Sequence, residues 1–170
     1  MRRALLVLTT GCWLLLVGVP RASTQTASFS GRYRLSLTFA TNCQASVRSV
    51  SVSLDLAESP VDSGSEVSGE LTAPYEASVG RFLLLRRTRS LHGPFSTLGG
   101  RAYREPITTV EGHYLMPWLM LDGAASSGSG RPRASGTAIG VLQVGNPGDE
   151  YPDTLGSCTA RDHRWTLEPE

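Results

Sequence analysis

Apolar and polar side chains alternate with period two along most of this chain, the mark of strands that bury one face. Tyr33, Leu35, Leu37 and Phe39 alternate with Arg34, Ser36 and Thr38, opening after Gly31. Val50, Val52, Leu54 and Leu56 alternate with Ser49, Ser51, Ser53 and Asp55, and Pro60 closes the run. Val67 to Ala73 is a weaker third stretch, ended by Pro74. Phe82 to Leu85 is a continuous apolar run between Gly80 and Arg86-Arg87 and reads as a strand buried on both faces. Gly93-Pro94 and Gly99-Gly100 read as turns, which places a fifth, irregular strand at Arg101 to Val110. The sixth is Gly112 to Leu121. Its Pro117 lacks a ladder donor, which predicts a sheet edge, a bulge or a break at Met116. Ala124 to Ala134 reads as a flexible Gly/Ser loop. Ser135 to Val144 is the seventh strand, with Gly136, Ala138 and Gly140 on one face. After the turn Asn146-Pro147-Gly148-Asp149, Ser157 to Leu167 is the eighth.

No segment of the mature chain carries a convincing helical pattern of twelve or more residues. The expected fold is therefore all-β: a single antiparallel up-and-down β-barrel of about eight strands over residues 28–168, with a Greek-key β-sandwich as the alternative. The cysteines favour the barrel. Cys43 follows the end of strand one and Cys158 opens strand eight, and in a closed up-and-down barrel those two points are neighbours. A Cys43–Cys158 disulfide would span the closing seam. A barrel in a lipid bilayer needs an apolar outer face on every strand. Arg34, Ser51 and Asp55 on the outward sets argue for a soluble barrel instead.

The first residues are of another kind. Met1-Arg2-Arg3 is basic, Ala4 to Val19 is apolar, Pro20 breaks the run, and small residues follow at Ala22-Ser23-Thr24. This is a secretory signal pattern over residues 1–24, with the cut between Ala22 and Ala27. A retained membrane anchor is the competing reading. So is lipidation at Cys12, against which Trp13 and the apolar run that follows both speak. Export to the periplasm or beyond the cell leaves Cys43 and Cys158 as an even pair in an oxidising compartment, where disulfides persist. With no His beside them in sequence, they do not read as a zinc site.

Composition narrows function mainly by exclusion. The formal charge is +1, and removal of Arg2, Arg3 and Arg21 shifts it to about −2, so no field exists to hold nucleic acid. There is no Lys, which excludes Schiff-base and Walker-type phosphate chemistry. Asp162-His163 invites a catalytic reading, yet adjacent strand residues point to opposite faces, and no G-x-S-x-G occurs. His92, His113 and His163 share no metal-ligand spacing, and no pair of carboxylates stands out for acid–base work. Arg86-Arg87-x-Arg89 reads as a solvated strand end. No catalytic residue, cofactor or metal is expected.

The opening Gly31-Arg32-Tyr33-Arg34-Leu35 and the closing Cys158-Thr159-Ala160-Arg161-Asp162-His163-Arg164-Trp165 resemble the ends of exported bacterial β-proteins of lipocalin type. That family begins strand one with Gly-x-Trp, here Gly31-x-Tyr33, and lays a late-strand Arg across the aromatic ring, a role for Arg161 or Arg164. The resemblance implies a pocket for a small apolar ligand and no catalysis. On this expectation Tyr33, Tyr114, Trp118, Arg161, His163 and Trp165 line the site. Alternation would put Arg161, His163, Trp165 and Leu167 on one inward face, with Tyr33 as the polar partner of His163. Gly136, Ala138 and Gly140 would make the room. The alternative is a structural or partner-binding exported domain whose interior is filled by its own side chains.

Overall fold

A computed structural model describes residues 27–71, 80–97, 106–126, 130–149 and 153–170. The signal pattern and Cys12 lie outside the described residues, as do the turn at Gly99-Gly100 and the first half of the stretch expected as strand five. Nine strands are present, with no helix among the described residues. They are β1 Gly31–Thr38, β2 Ser49–Val61, β3 Gly64–Leu71, β4 Gly80–Arg87, β5 Ser90–Ser96, β6 Ile107–Thr108, β7 Tyr114–Ser126, β8 Arg133–Gly145 and β9 Gly156–Pro169. Every pairing is antiparallel. The order β5-β4-β3-β2-β1-β9-β8-β7 closes through a β5–β7 pairing, giving an eight-stranded barrel with the two-residue β6 outside it. This is the expected up-and-down barrel.

Alternation decides which side chains fill it. Tyr33, Leu35 and Leu37 on β1, Val50, Val52, Leu54 and Leu56 on β2, and Trp165 and Leu167 on β9 are buried, while their polar neighbours face out. A one-residue slip of any strand would exchange these faces, so the pattern sets the register as well as the core. The barrel wall is continuous at β1–β9, where Leu37 sits opposite Trp165 and Tyr33 opposite Pro169.

Four strand expectations change. The fifth wall strand is Ser90–Ser96, which contains the Gly93-Pro94 taken as a turn. At Gly93 a Cβ would stand 2.0 Å from the Leu83 carbonyl oxygen, so only glycine allows β4 and β5 to approach there. Of the run expected as strand five, the described part holds Ile107–Thr108, paired to β7 outside the barrel. Phe82 and Leu84 on β4 are buried, but Leu83 is half-buried and Leu85 is exposed, so the strand buries one face only. The loop expected over Ala124 to Ala134 is shortened at both ends, because β7 runs to Ser126 and β8 starts at Arg133.

Pro117 lies mid-strand, opposite Leu142. On its other side β7 changes neighbour, from β5 as far as Trp118 to β6 from Leu115, and the Pro117 carbonyl accepts the Thr97 N–H. The missing donor thus falls at a junction between partners, where a ladder bond is least needed.

Candidate functional site

The interior places the expected site residues in three different environments. Trp165 is buried against the β7–β8 wall. Register sets it in a row with Gly136 on β8 and Gly123 on β7. A Cβ on Gly123 would come within 2.6 Å of the indole ζ2 carbon, whereas a Cβ on Gly136 or Gly140 would meet the backbone of β7. The indole N–H donates to the carbonyls of Asp122 and Thr137, at 3.2 and 3.0 Å. The polar handle of this ring is already bonded to the wall.

His163 is fully buried toward the end of the barrel where β1 finishes. Its Nδ1 accepts the Ala40 N–H at 3.1 Å, and the Phe39 ring meets it edge-on at 5.9 Å. Nε2 has no hydrogen-bond partner. Burial disfavours the charged imidazole and lowers its pKa, against the raising pull of the Gly140 and Cys158 carbonyls and Asp162. The expected partner, Tyr33, is elsewhere. It stands opposite Pro169, six residues beyond His163 on β9, so the two rings lie roughly 20 Å apart along the strand.

Arg161 does not share their face. On β9, His163 pairs with Ala138 and Ala160 with Gly140, so Arg161 and Asp162 together oppose the single Ile139. This β-bulge shifts the phase by one residue. Ala160 turns inward on one side of it and His163 on the other, leaving Arg161 and Asp162 exposed. Gly140, at a φ of 140°, accommodates the kink. Tyr114 and Trp118 also leave the lumen. On β7 the inward set is Leu115, Pro117, Leu119 and Leu121, and the aromatic pair faces outward, Trp118 54% exposed.

At the opposite end Tyr33 is buried beneath a strap formed by residues 27–30, which Gly31, at a φ of 103°, swings over the opening. Phe29 stacks on Tyr33 at 5.7 Å, and its N–H donates to Glu58 at 2.7 Å. Arg86 donates to both Glu58 oxygens at 3.0 and 3.1 Å and to the Ala27 carbonyl, and lies 5.1 Å over the Phe29 ring. Ser65 also donates to Glu58. Burial raises the Glu58 pKa, but the hydrogen bonds from Ser65, the Phe29 N–H and Arg86 outweigh it and hold the carboxyl below its usual range. Arg86 is therefore a buried, paired side chain and not a solvated strand end. The cation over the Tyr33 ring is Arg131, from the loop before β8, at 5.2 Å. Arg161 and Arg164 are exposed on the outer face. The Tyr33 hydroxyl is buried without a partner, and burial raises its pKa.

Cys43 and Cys158 are joined, with Cα atoms 5.7 Å apart, at the β1–β9 seam. The loop carrying Cys43 is held there by an Ala45–Gly156 bridge and by the Ser46 N–H on the Leu155 carbonyl.

Outside the barrel, one face is unlike the rest. Leu85 on β4, Trp118 and Met120 on β7 and Ile139 on β8 are exposed by 44%, 54%, 42% and 50%. Register brings three of them together, with Met120 opposite Ile139, Trp118 opposite Val141, and Pro94 of β5 opposite Met120, while Leu85 lies apart, across from His92. Neither the alternation nor the composition marked this stripe. Each strand's outward set looked unremarkable until pairing placed the sets side by side. The chain matches no family model, no curated protein and no solved structure.

Proposed function

We propose that the chain is an exported, non-catalytic binding module that engages a partner protein through the outside of its barrel. The observation that carries this is the exposed apolar cluster Trp118–Met120–Ile139, set against an interior in which the Trp165 indole is already bonded to the wall. Monomeric proteins seldom expose contiguous apolar patches of several hundred Å² without using them. The cluster itself is uncharged and is bordered by the exposed Asp122, Arg161 and Asp162. The partner chemistry it fits is therefore a protein face with an apolar centre and a polar rim. The signal pattern and the disulfide support export.

A second reading keeps a small apolar guest inside, as the lipocalin-type resemblance implies. The unpartnered Tyr33 hydroxyl beneath the Phe29 strap favours it, since a buried polar atom without a bond calls for a partner. One experiment separates the two. An environment-sensitive apolar dye and sedimentation over a range of concentrations are applied to wild type, to Trp118→Glu/Ile139→Glu and to Phe29→Ala. Dye binding or self-association lost only in the outer-face variant supports the partner surface. Dye uptake unaffected there but increased by Phe29→Ala moves the site indoors. A wild type that neither associates nor takes up dye defeats both.

A further inference from the structure

Three residues far apart in the sequence meet at the closing seam: Cys43 from the loop after β1, Cys158 from the start of β9, and His163 from beyond the β9 bulge. We propose that they form a redox-gated metal site, closed as a disulfide and taking one Zn(II) when that disulfide is reduced. In sequence no His neighbours either Cys; the fold supplies one.

Both sulfurs and an imidazole nitrogen lie within 4.8 Å of one another. Zinc holds sulfur at about 2.3 Å and nitrogen at about 2.0–2.1 Å, so a cation seated among them asks for only small adjustments. The 5.7 Å Cα separation suits two sulfurs sharing a metal as well as two sharing a bond. His163 is fully buried, yet one ring nitrogen has no partner and the other holds only the Ala40 N–H. Ligation through Nδ1 trades that bond for the metal. It leaves Nε2 as the protonated nitrogen, buried and without a hydrogen-bond partner.

Charge selects the ion. Two thiolates and a divalent cation sum to zero, which an enclosure of Phe39, Ala40 and Leu155 tolerates; a monovalent ion would leave a buried negative charge. Cys158 is half-buried, so the fourth position opens toward solvent and suits a water. The balance is simple. A dithiol reductant gives two electrons, the Cys43–Cys158 bond breaks, each sulfur takes a proton, and the reductant closes to its own disulfide. Zn(II) then displaces the two thiol protons to solvent with no further change of oxidation state. Metal and disulfide thus fasten the same two segments by alternative means.

The test uses the full chain carrying Cys12→Ser, so that Cys43 and Cys158 are the only thiols. Oxidised and reduced forms are titrated anaerobically with Zn(II) against a chromophoric chelator, and their melting temperatures are recorded with and without the metal. The reduced form should bind one Zn(II) and melt higher with it, and the oxidised form should do neither. His163→Gln should weaken binding at least tenfold. Phe39→Leu, which alters packing around the ring and leaves all three ligands, should not. Equal affinity in reduced wild type and His163→Gln overturns the proposal. So does a reduced chain whose melting, or refolding if it has unfolded, is indifferent to Zn(II).

Discussion

Glu58 and Arg86 show how a single residue changes meaning once its surroundings are known. Each is common on strand surfaces, and here both side chains are less than a tenth exposed, joined at 3.0 Å and bonded to the strap over the barrel mouth. Removing one partner leaves the other buried and uncompensated, so Arg86→Met and Glu58→Gln are each expected to destabilise by about 3 kcal/mol, measurable by urea unfolding. The pair also sets an acid limit. The folded Glu58 pKa lies below the unfolded one, so its contribution is complete above the unfolded value and is lost as pH falls through the folded one. Wild type should lose melting temperature as pH drops below about 4.5, and the Glu58→Gln protein should show a flatter slope over that range. An identical slope in both would show that other carboxylates govern the acid limb. His163 adds to the same limb. Its folded pKa is depressed, so its share of the stability is complete above its unfolded value of roughly 6.5 and fades below it. An NMR titration should find the ring taking up its proton at a lower pH than an exposed imidazole does. None of this was legible in the sequence. Arg86 sits in a run of arginines, and Glu58 at the frayed-looking end before Pro60. Their burial depends on residues 27–30 folding back, which no period-two pattern encodes.

Strands were far more legible than sites, because a barrel wall writes its inward face as alternation. β1, β2, β8 and β9 lie where the alternation places them, and the disulfide lies where closure demands. The errors share a cause: backbone geometry that depends on a neighbour. Gly93-Pro94 has the composition of a turn, but Gly93 is glycine because the Leu83 carbonyl crowds it, so β5 was hidden. The bulge at Arg161-Asp162 inserts one residue and reverses the phase, so counting by twos from Trp165 put Arg161 inside. The small residues of β8 were read as interior space, but Gly136 and Gly140 let the β7 backbone approach, and the Trp165 indole lies over Gly123 of β7. A sharp prediction follows for these elements. Gly123→Ala must push its methyl against the Ser135 carbonyl, 2.3 Å away, and against the indole. It should cost about 1–3 kcal/mol by overpacking and reduce the near-ultraviolet circular dichroism of Trp165. Trp165→Phe relieves the indole contact and forfeits two hydrogen bonds to the wall, so the double variant should be less unstable than the sum of the singles. Strict additivity would mean that Gly123 and Trp165 do not share the space.

For the molecule as a whole, the question is what keeps a small eight-stranded barrel closed. Seven of the eight wall contacts join strands adjacent in the barrel sequence, through hairpins or, for β5 and β7, a longer connection. The β1–β9 seam instead joins the two ends of the chain, and it must form last or be held open at the greatest entropic cost. The disulfide sits at that seam and spans 115 residues. In the chain-entropy account, a loop of this size raises stability by about 4–5 kcal/mol by restricting the unfolded chain. Cys43→Ser/Cys158→Ser, or reduction in the presence of a metal chelator, should therefore lower stability by that order. The effect should appear chiefly as β1 and β9 amides that exchange with solvent sooner than those of β3 and β4. Uniform loss of protection across all strands would place the seam within the cooperative core and not at its weak point. A change below about 1 kcal/mol would mean that the Ala45–Gly156 bridge and the Trp165 contacts across β7, β8 and β9 close the barrel unaided, with the cysteines retained for the chemistry they share with His163.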